Sequence, residues 1–448
     1  MSSVIDKILH CLLRGTLYDA AMAVAPSLQI FRHRAYLQFW LMRVSVAAAR
    51  QMEAVAIGWQ VYDLARDPVI EGGMGLSINE AAFMLGLVGL AQFVPVLLLS
   101  LIGGQAADRL NRKMILVISN LVRLIGTIAL LSTILLPAAQ ALPVIFGVAV
   151  LLGTVNAFTP AAANALYPQL VPRSELPTAI AFNSLGFQTA KIAGPALGGI
   201  MLAIGGLSLV YSVAFVLITF AILAIATAAT PPHQKLANAR GRDMVFAGLR
   251  YIRRNKIVLG AISLDLFVVF FGGVVALLPV FARDVLHVGE TGLGFLVAAP
   301  AVGAVTVAFL LARRPLSRRV GPWMFWAVGI FGAATLVFGL SSIYWLSFAA
   351  LIVTGAADEI SVYVRASLIQ LATPDEMKGR VTSVSFIFIS ASNELGEFES
   401  GVAARFLGPV GAALLGGSVA IGVALLWTRL FPELAKADSF EGVEEQAV

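Results

Sequence analysis

Long apolar runs alternate with short polar breaks along almost the whole of the 448-residue chain. A bilayer core about 30 Å thick takes about 20 apolar residues per helix. On that measure the pattern predicts twelve spans, at residues 36–62, 80–104, 114–136, 142–166, 176–203, 206–228, 257–281, 290–312, 322–341, 344–371, 379–403 and 409–430. Between the two sets of six, residues 230–256 open on Pro231-Pro232, carry seven Lys and Arg, and hold no spanning run. They read as a linker with an amphipathic surface helix from about Asp243 to Asn255. The expected organisation is an amphipathic N-terminal segment (1–35), a six-helix bundle (36–229), the linker (230–256), a second bundle (257–431) and an acidic, disordered tail (432–448). The fold class is all-α integral membrane, in two pseudo-symmetric six-helix bundles.

Composition agrees, since 12% charged residues is half the roughly 25% of soluble chains. Orientation follows from the basic residues, because Lys and Arg in short loops stay on the cytoplasmic side. Of the 31, only Arg66, Arg283 and Arg405 fall in loops on one face, and Arg43, Arg50, Arg123, Lys191 and Arg365 fall within spans. The others lie on the opposite face together with both chain ends, which places both termini in the cytoplasm. Basic character is thus a matter of topology, and no nucleic-acid partner is expected. The first 35 residues have no long apolar stretch before a small-residue cleavage site, so no removable signal peptide is expected. One cysteine (Cys11) and four histidines (His10, His33, His233, His287) make neither a disulfide framework nor a metal cluster. No cofactor is expected. No nucleophile motif and no Gly-x4-Gly-Lys-Ser/Thr loop occurs, so neither an enzyme nor direct drive by ATP is expected.

The halves repeat. At an offset of 201, ALYPQLVPRSEL (165–176) lies over ASLIQLATPDEM (366–377), with Ala, Gln, Leu and Glu in register, where the fourth span of each half leads into the fifth. Duplicated halves with a site between them are the architecture of secondary transporters.

Between the second and third spans stands Gly104-Gln105-Ala106-Ala107-Asp108-Arg109-Leu110-Asn111-Arg112-Lys113. A glycine here lets helices approach, and an Asp followed by basic residues can bond a neighbouring helix end. The segment resembles the signature loop of the major facilitator superfamily, G-x3-D-R-x-G-R-K, with Asn111 in the second Gly place. Asn tolerates positive φ better than most residues, so the turn is expected to survive. The resemblance implies a conformational latch at Gly104, Asp108, Arg109 and Arg112 that holds the halves in the outward-facing state. The equivalent loop of the second half, residues 313–321, has no Asp. The fifth span reads Gly186-x7-Gly194-Pro195-Ala196-Leu197-Gly198-Gly199. Small residues bare a packing face and the proline frees a carbonyl. The string resembles the antiporter motif of exporters in that superfamily and favours export. Trp59-Gln60-Val61-Tyr62-Asp63-Leu64, Tyr167-Pro168-Gln169-Leu170-Val171-Pro172 and residues 393–401 (NELGEFESG) resemble the enterobactin-exporter and macrolide-efflux branch. The fourth span lacks the arginine that many proton-driven drug exporters place there, so coupling must use other groups.

Twelve ionisable residues fall within the spans: Arg43, Arg50, Arg123, Lys191 and Arg365 against Glu53, Asp265, Asp358, Glu359, Glu394, Glu397 and Glu399. Each costs roughly 2.5–3.5 kcal/mol on the insertion scale, so partners or a wet pathway must receive them. Arg43, Arg50, Glu53 and Gln60 form one stripe on the first span, and Ser390, Asn393, Glu394 and Glu397 form one on the eleventh. Arg123 reads as a structural partner. Carboxylates in a low-dielectric cavity can carry protons near neutrality, which makes Glu53, Glu394, Glu397 and Asp358 the proton-coupling candidates. Arg50, Gln60, Asn156, Asn164, Lys191, Asp265 and Arg365 are the substrate-binding candidates. Phe267, Phe270 and Phe271 offer stacking surfaces.

The expectation is a monomeric secondary transporter in the bacterial inner membrane, exporting an amphipathic organic molecule by alternating access in exchange for protons. The resemblance implies a siderophore or lipophilic drug as substrate. Uptake or flipping of a lipid-like solute, and a non-transporting sensor on the same fold, are the alternatives.

Overall fold

The computed structural model describes residues 28–68, 73–231, 241–316 and 318–438. Expectations for the segment before residue 28, for 232–240 of the linker and for the tail from 439 fall outside the described residues. The first half consists of α1 (Arg34–Arg66), α2 (Ile78–Arg109), α3 (Arg112–Ser132), α4 (Ala138–Leu166) and α5 (Leu176–Thr227). A linker helix, α6 (Gly241–Arg254), leads into α7 (Lys256–Phe271), α8 (Gly289–Arg313), α9 (Val320–Leu340), α10 (Tyr344–Leu371) and α11 (Asp375–Leu430). A short α12 (Pro432–Ala435) follows.

At 1.5 Å per residue, the 52 residues of α5 and 56 of α11 are each far longer than one crossing needs. Each folds back at one glycine in left-handed backbone, Gly206 (φ 63°) and Gly408 (φ 76°). A residue with a Cβ rarely adopts that conformation. The two turns stand at almost the offset found for the repeat. Nine described helices are long and apolar enough to cross a membrane, and α1 is not among them. Counting α1 and both arms of α5 and α11, each expected span has a helical counterpart. Large apolar side chains such as Ile125, Leu223, Phe309, Trp326 and Leu425 cover the outside, as a lipid-facing surface requires.

Local chemistry sets the helix starts. Ser77 and Glu80 form a reciprocal capping box on α2, which satisfies donors at the helix start. Asn111 caps α3, its side chain accepting from the N–H groups of Lys113 and Met114. Its φ is −64°, so the expectation of a left-handed turn at this place is corrected: the residue works as an N-cap. The seventh span runs over Lys256–Val285 but is not one continuous helix. Its helix stops at Phe271, and a 3-10 turn (Val274–Leu277) and a π turn (Phe281–Val285) complete it. The break falls at Gly272-Gly273, where a Cβ on Gly273 would lie 2.6 Å from the Gly396 carbonyl oxygen of α11. The tail is ordered through Asp438. Leu434 is fully buried, and the N–H groups of Val320 and Gly321, at the start of α9, donate to the carbonyls of Asp438 and Ala437.

Within the first half α1 packs on α5 and α2 on α4; within the second, α7 packs on α11 and α8 on α10. The two largest contacts between the halves are α2 on α11 and α5 on α8, and the repeat exchanges one for the other. The apolar core divides accordingly. Near α6 and the described chain ends, which we call the linker end, each half has a core of its own, around Tyr36, Leu116 and Ala163 in one and Val258, Met324 and Leu368 in the other. At the opposite, far end one core spans both halves, with Tyr62, Ala82 and Leu130 joined to Phe281, Leu293 and Ala404.

Candidate functional site

The far-end joint is made by glycines. A Cβ on Gly86 of α2 would lie 2.8 Å from the Cα of Gly401 on α11, and one on Gly199 of α5 would lie 2.7 Å from the Cα of Gly294 on α8. The expected helix-5 motif therefore works on two sides. Gly186, Gly194 and Gly198 face α1, where added Cβ atoms would meet Val44, Gln51 and Met52 at 2.6, 2.6 and 3.0 Å. Gly199 and the Pro195 carbonyl face Gly294 of the other half. On the α2–α11 side, Gly89 lies against the side chain of Glu397.

Around this joint stands an ionic cluster that the sequence reading passed over. Arg283 pairs with Asp63 and, at 3.6 Å, with Asp67. Arg66 lies 3.8 Å from Asp284, to which the Tyr62 hydroxyl donates. Asp63, Arg66 and Asp67 close α1, and Arg283 and Asp284 belong to the π turn before α8, so the cluster bridges the halves. A signal was available: two of the three basic residues in the outer loops have acidic neighbours, one set in each half.

At the linker end the halves stand apart. Asp108 and Arg109 are exposed. Arg112 is buried and donates to the carbonyls of Ala107 and Ala165 at 3.1 and 3.2 Å, both in its own half. The close approach of α2 to α4 falls at Gly103, where a Cβ would lie 2.1 Å from the Ala157 carbonyl oxygen, while a Cβ on Gly104 would meet nothing within 4 Å.

Ten of the twelve intramembrane charges divide into two sets; Arg43 and Glu399, both partly exposed, belong to neither. Inside the first half, Glu53 lies 3.5 Å from Arg123, with 2% and 3% exposure. Thr127 donates to Glu53, and Arg123 donates to Asn156. Nearer the far end, Gln60 donates to Thr133 and accepts from Tyr211. Inside the second half, Arg365 pairs with Asp265, both nearly buried. Beside them a cavity of about 10 Å³ is lined by Asp265, Asp358 and Ser361, space for about one water. Glu53, Gln60, Asn156, Asp265 and Arg365 are thus bonded within their own halves.

The second set acts between the halves, although Asp358 also lines the small cavity beside Asp265. Arg50 on α1 and Lys191 on α5 are exposed. Arg50 acts electrostatically on Glu394 and Glu397 of α11, and Lys191 on Asp358 and Glu359 of α10. Among the described residues, none of these six belongs to an ion pair within 4 Å. Asn164 is exposed on α4 and Asn393 on α11; the side chain of Ser390 lies outside the described residues. Phe267 packs against Trp427 at 5.2 Å between ring centres, and Phe270 meets Phe271 edge-on. The α1 stripe is therefore split. Arg50 turns to the gap, while Glu53 and Gln60 turn to the neighbours within their half.

Comparison with known proteins agrees with this architecture. The family described as transmembrane secretion effector matches residues 25–445. An enterobactin exporter of Citrobacter koseri is 28% identical over 417 residues, covering 89% of this chain and 96% of its own. One of Escherichia coli O1:K1 is 28% identical over 398 residues, covering 85% and 88%. The crystal structure of a D-xylose-proton symporter superposes with a TM-score of 0.68 at 13% identity, covering 89% of this chain and 98% of that one. The xylose transporter from E. coli, in an inward-open conformation, gives 0.67 at 14% identity, covering 93% and 99%. At such identities the structures speak for the fold alone, that of major facilitator transporters. With helical halves, two pseudo-symmetric glycine joints and a family match over nearly its whole length, the chain belongs to the transmembrane secretion effectors, in the enterobactin-exporter and efflux branch of the major facilitator superfamily.

Proposed function

We propose that this chain is a monomeric exporter that carries an amphipathic organic solute, a siderophore or lipophilic drug, out of a bacterial cytoplasm in exchange for protons. The observation that carries the reading is the division of the core: one far-end core shared by both halves, and two separate cores at the linker end. Two rigid bodies hinged at one end are what alternating access requires. With the basic loops and both termini on the cytoplasmic face, this arrangement is open to the cytoplasm and closed outside. The relatives named enterobactin exporters support the siderophore class, and the glycine-rich face of α5 supports export.

Glu394, Glu397 and Asp358 carry the coupling. Among the described residues they have no bonded cation, and Arg50 and Lys191 stand on the opposite half, so rocking changes the field at each carboxylate and with it the affinity for a proton. Glu53 has a different part. Its charge is held by Arg123, and breaking a buried pair costs roughly 3–5 kcal/mol, so Glu53→Gln is expected to lower the melting temperature. Proteoliposomes test the coupling. Gln at Glu394 or Glu397, or Asn at Asp358, should abolish proton-driven accumulation of substrate in at least one variant and leave substrate counterflow intact. Accumulation that persists in all three variants, and still collapses with a protonophore, makes the carboxylates structural.

A further inference from the structure

Once the charges bonded inside each half are set aside, those left facing the gap are sorted by half. Arg50 and Lys191 belong to the first half, and Asp358, Glu359, Glu394 and Glu397 to the second. Glu397 of α11 lies against Gly89 of α2, and Arg50 and Lys191 are exposed. Among the described residues none of the six belongs to an ion pair within 4 Å, while cations and carboxylates act on one another from opposite halves. Arg50 also has a like-charged neighbour in Arg123, but that guanidinium is engaged by Glu53 and Asn156. Neither wall therefore neutralises itself, and at this depth an unpaired charge is costly.

Each class of solute meets these walls differently. A simple cation is drawn to the carboxylates and repelled by Arg50 and Lys191. A simple anion meets the reverse. A solute with both charges, lying across the gap, is repelled by neither wall and gives each the counter-charge it lacks. Two cations against four carboxylates leave the acidic wall in excess, so protons still have a place beside such a solute.

We propose that the transported solute is dipolar, an amphiphile with a protonated amine and an acidic group, the acidic group held by Arg50 and Lys191 and the amine by the carboxylates of α10 and α11. This deepens the exporter reading and rests on its assignment of the gap as the substrate path. Siderophores or drugs that lack either charge become poor substrates.

Four forms of one fluorescent amphiphile test it on the purified full-length protein in nanodiscs. Nε-dansyl-lysine carries both charges, its methyl ester only the cation, its α-N-acetyl derivative only the anion, and the doubly blocked form neither. The dipolar form is expected to bind about tenfold more tightly than either singly charged form. In Arg50→Gln/Lys191→Gln its advantage over the methyl ester should vanish while its advantage over the acetylated form remains. In Asp358→Asn/Glu394→Gln the opposite should hold. Should a double variant fail to fold, Arg50→Lys and Glu394→Asp, which keep the charges, must keep the wild-type preference. Equal binding of the dipolar form and either singly charged form overturns the proposal, as does binding of none of the four. Loading the same compounds into proteoliposomes separates the two claims. Transport of a singly charged form as fast as the dipolar one sinks the dipolar solute and leaves the exporter standing, whereas compounds that bind and never cross sink the exporter reading itself.

Discussion

At the far end the halves meet backbone to backbone, Gly86 on Gly401 and Gly199 on Gly294, with Arg283 reaching Asp63 and Asp67 around the joint. At the linker end Asp108 and Arg109 are exposed, and Arg112 bonds two carbonyls of its own half. The contrast teaches how such a molecule can open at either end. Far-end closure rests on small residues and a few half-exposed ion pairs, neither of which resists separation strongly. We propose that closure at the other end draws on charges now exposed, among them Asp108, the group that the signature-loop resemblance assigns to that task. Each end is therefore held weakly, by different chemistry, and a bound solute or proton can decide between them.

The harshest test of the comparison is to fill a glycine joint. Gly199→Leu or Gly401→Leu puts a side chain where even a Cβ would lie within 2.7 Å of the facing backbone. Transport should fall by about tenfold or more, since small residues are what let membrane helices approach this closely. Gly147→Leu and Gly422→Leu, where a Cβ meets nothing within 4 Å, serve as controls at equal protein level. A joint that tolerates leucine as well as the controls do is not a joint.

Arg283→Ala removes two half-exposed ion pairs, each of the kind that contributes roughly 0.2–1 kcal/mol after screening. The expected outcome is a severalfold gain in the population open at the far end. It can be read from the distance between spin labels on the far ends of α1 and α8 in a Cys11→Ser background, and an unchanged distance distribution would show that the glycines alone hold that end.

Asp108→Asn and Arg112→Ala sharpen the other side of the comparison. Both should slow transport without preventing membrane insertion, as expected for groups that bias conformations. Only Arg112→Ala should also lower the melting temperature, because it leaves the Ala107 and Ala165 carbonyls without a charged donor, at a cost of about 1–3 kcal/mol. Equal melting of the two variants would mean that Asp108 already has a partner.

The smallest effect is expected at the tail. Asp438→Ala removes the side-chain acceptor of the Arg319 N–H, which should cost about 1 kcal/mol or less and leave transport unchanged. A larger loss would make the tail part of the linker-end machinery.

Much of the fold was legible from residue pattern. The turn glycines fall in the break between spans 11 and 12 and at the edge of that between 5 and 6, the repeat offset nearly recurs in Gly206 and Gly408, and α6 lies where the amphipathic pattern ends the linker. Three readings were revised by packing. Asn111 caps a helix with its side chain, an option open to Asn because its oxygen can accept from N–H groups two and three residues on. Span 7 breaks because α11 approaches it at Gly396, and residues 432–438 are ordered because Leu434 finds a place beside α7 and α9; neither neighbour is close in sequence.

The lengths of the apolar runs, the duplication and the sidedness of basic loops were all readable from the chain, because a lipid core leaves a backbone no partner but itself and makes every crossing a helix of known length. Which charges are bonded within one half and which are left between the halves was not. Arg50, Glu53 and Gln60 share one broad stripe, wide enough to touch two neighbours, and periodicity cannot say where one neighbour stops and the gap begins. Packing settled it: α3 brought Arg123 and Thr127 to Glu53, and α3 with the second arm of α5 brought Thr133 and Tyr211 to Gln60, while Arg50 was left on the edge with its opposite charges on the other half. A pairing between residues seventy or more positions apart depends on which helices become neighbours, and that is a property of the assembled bundle.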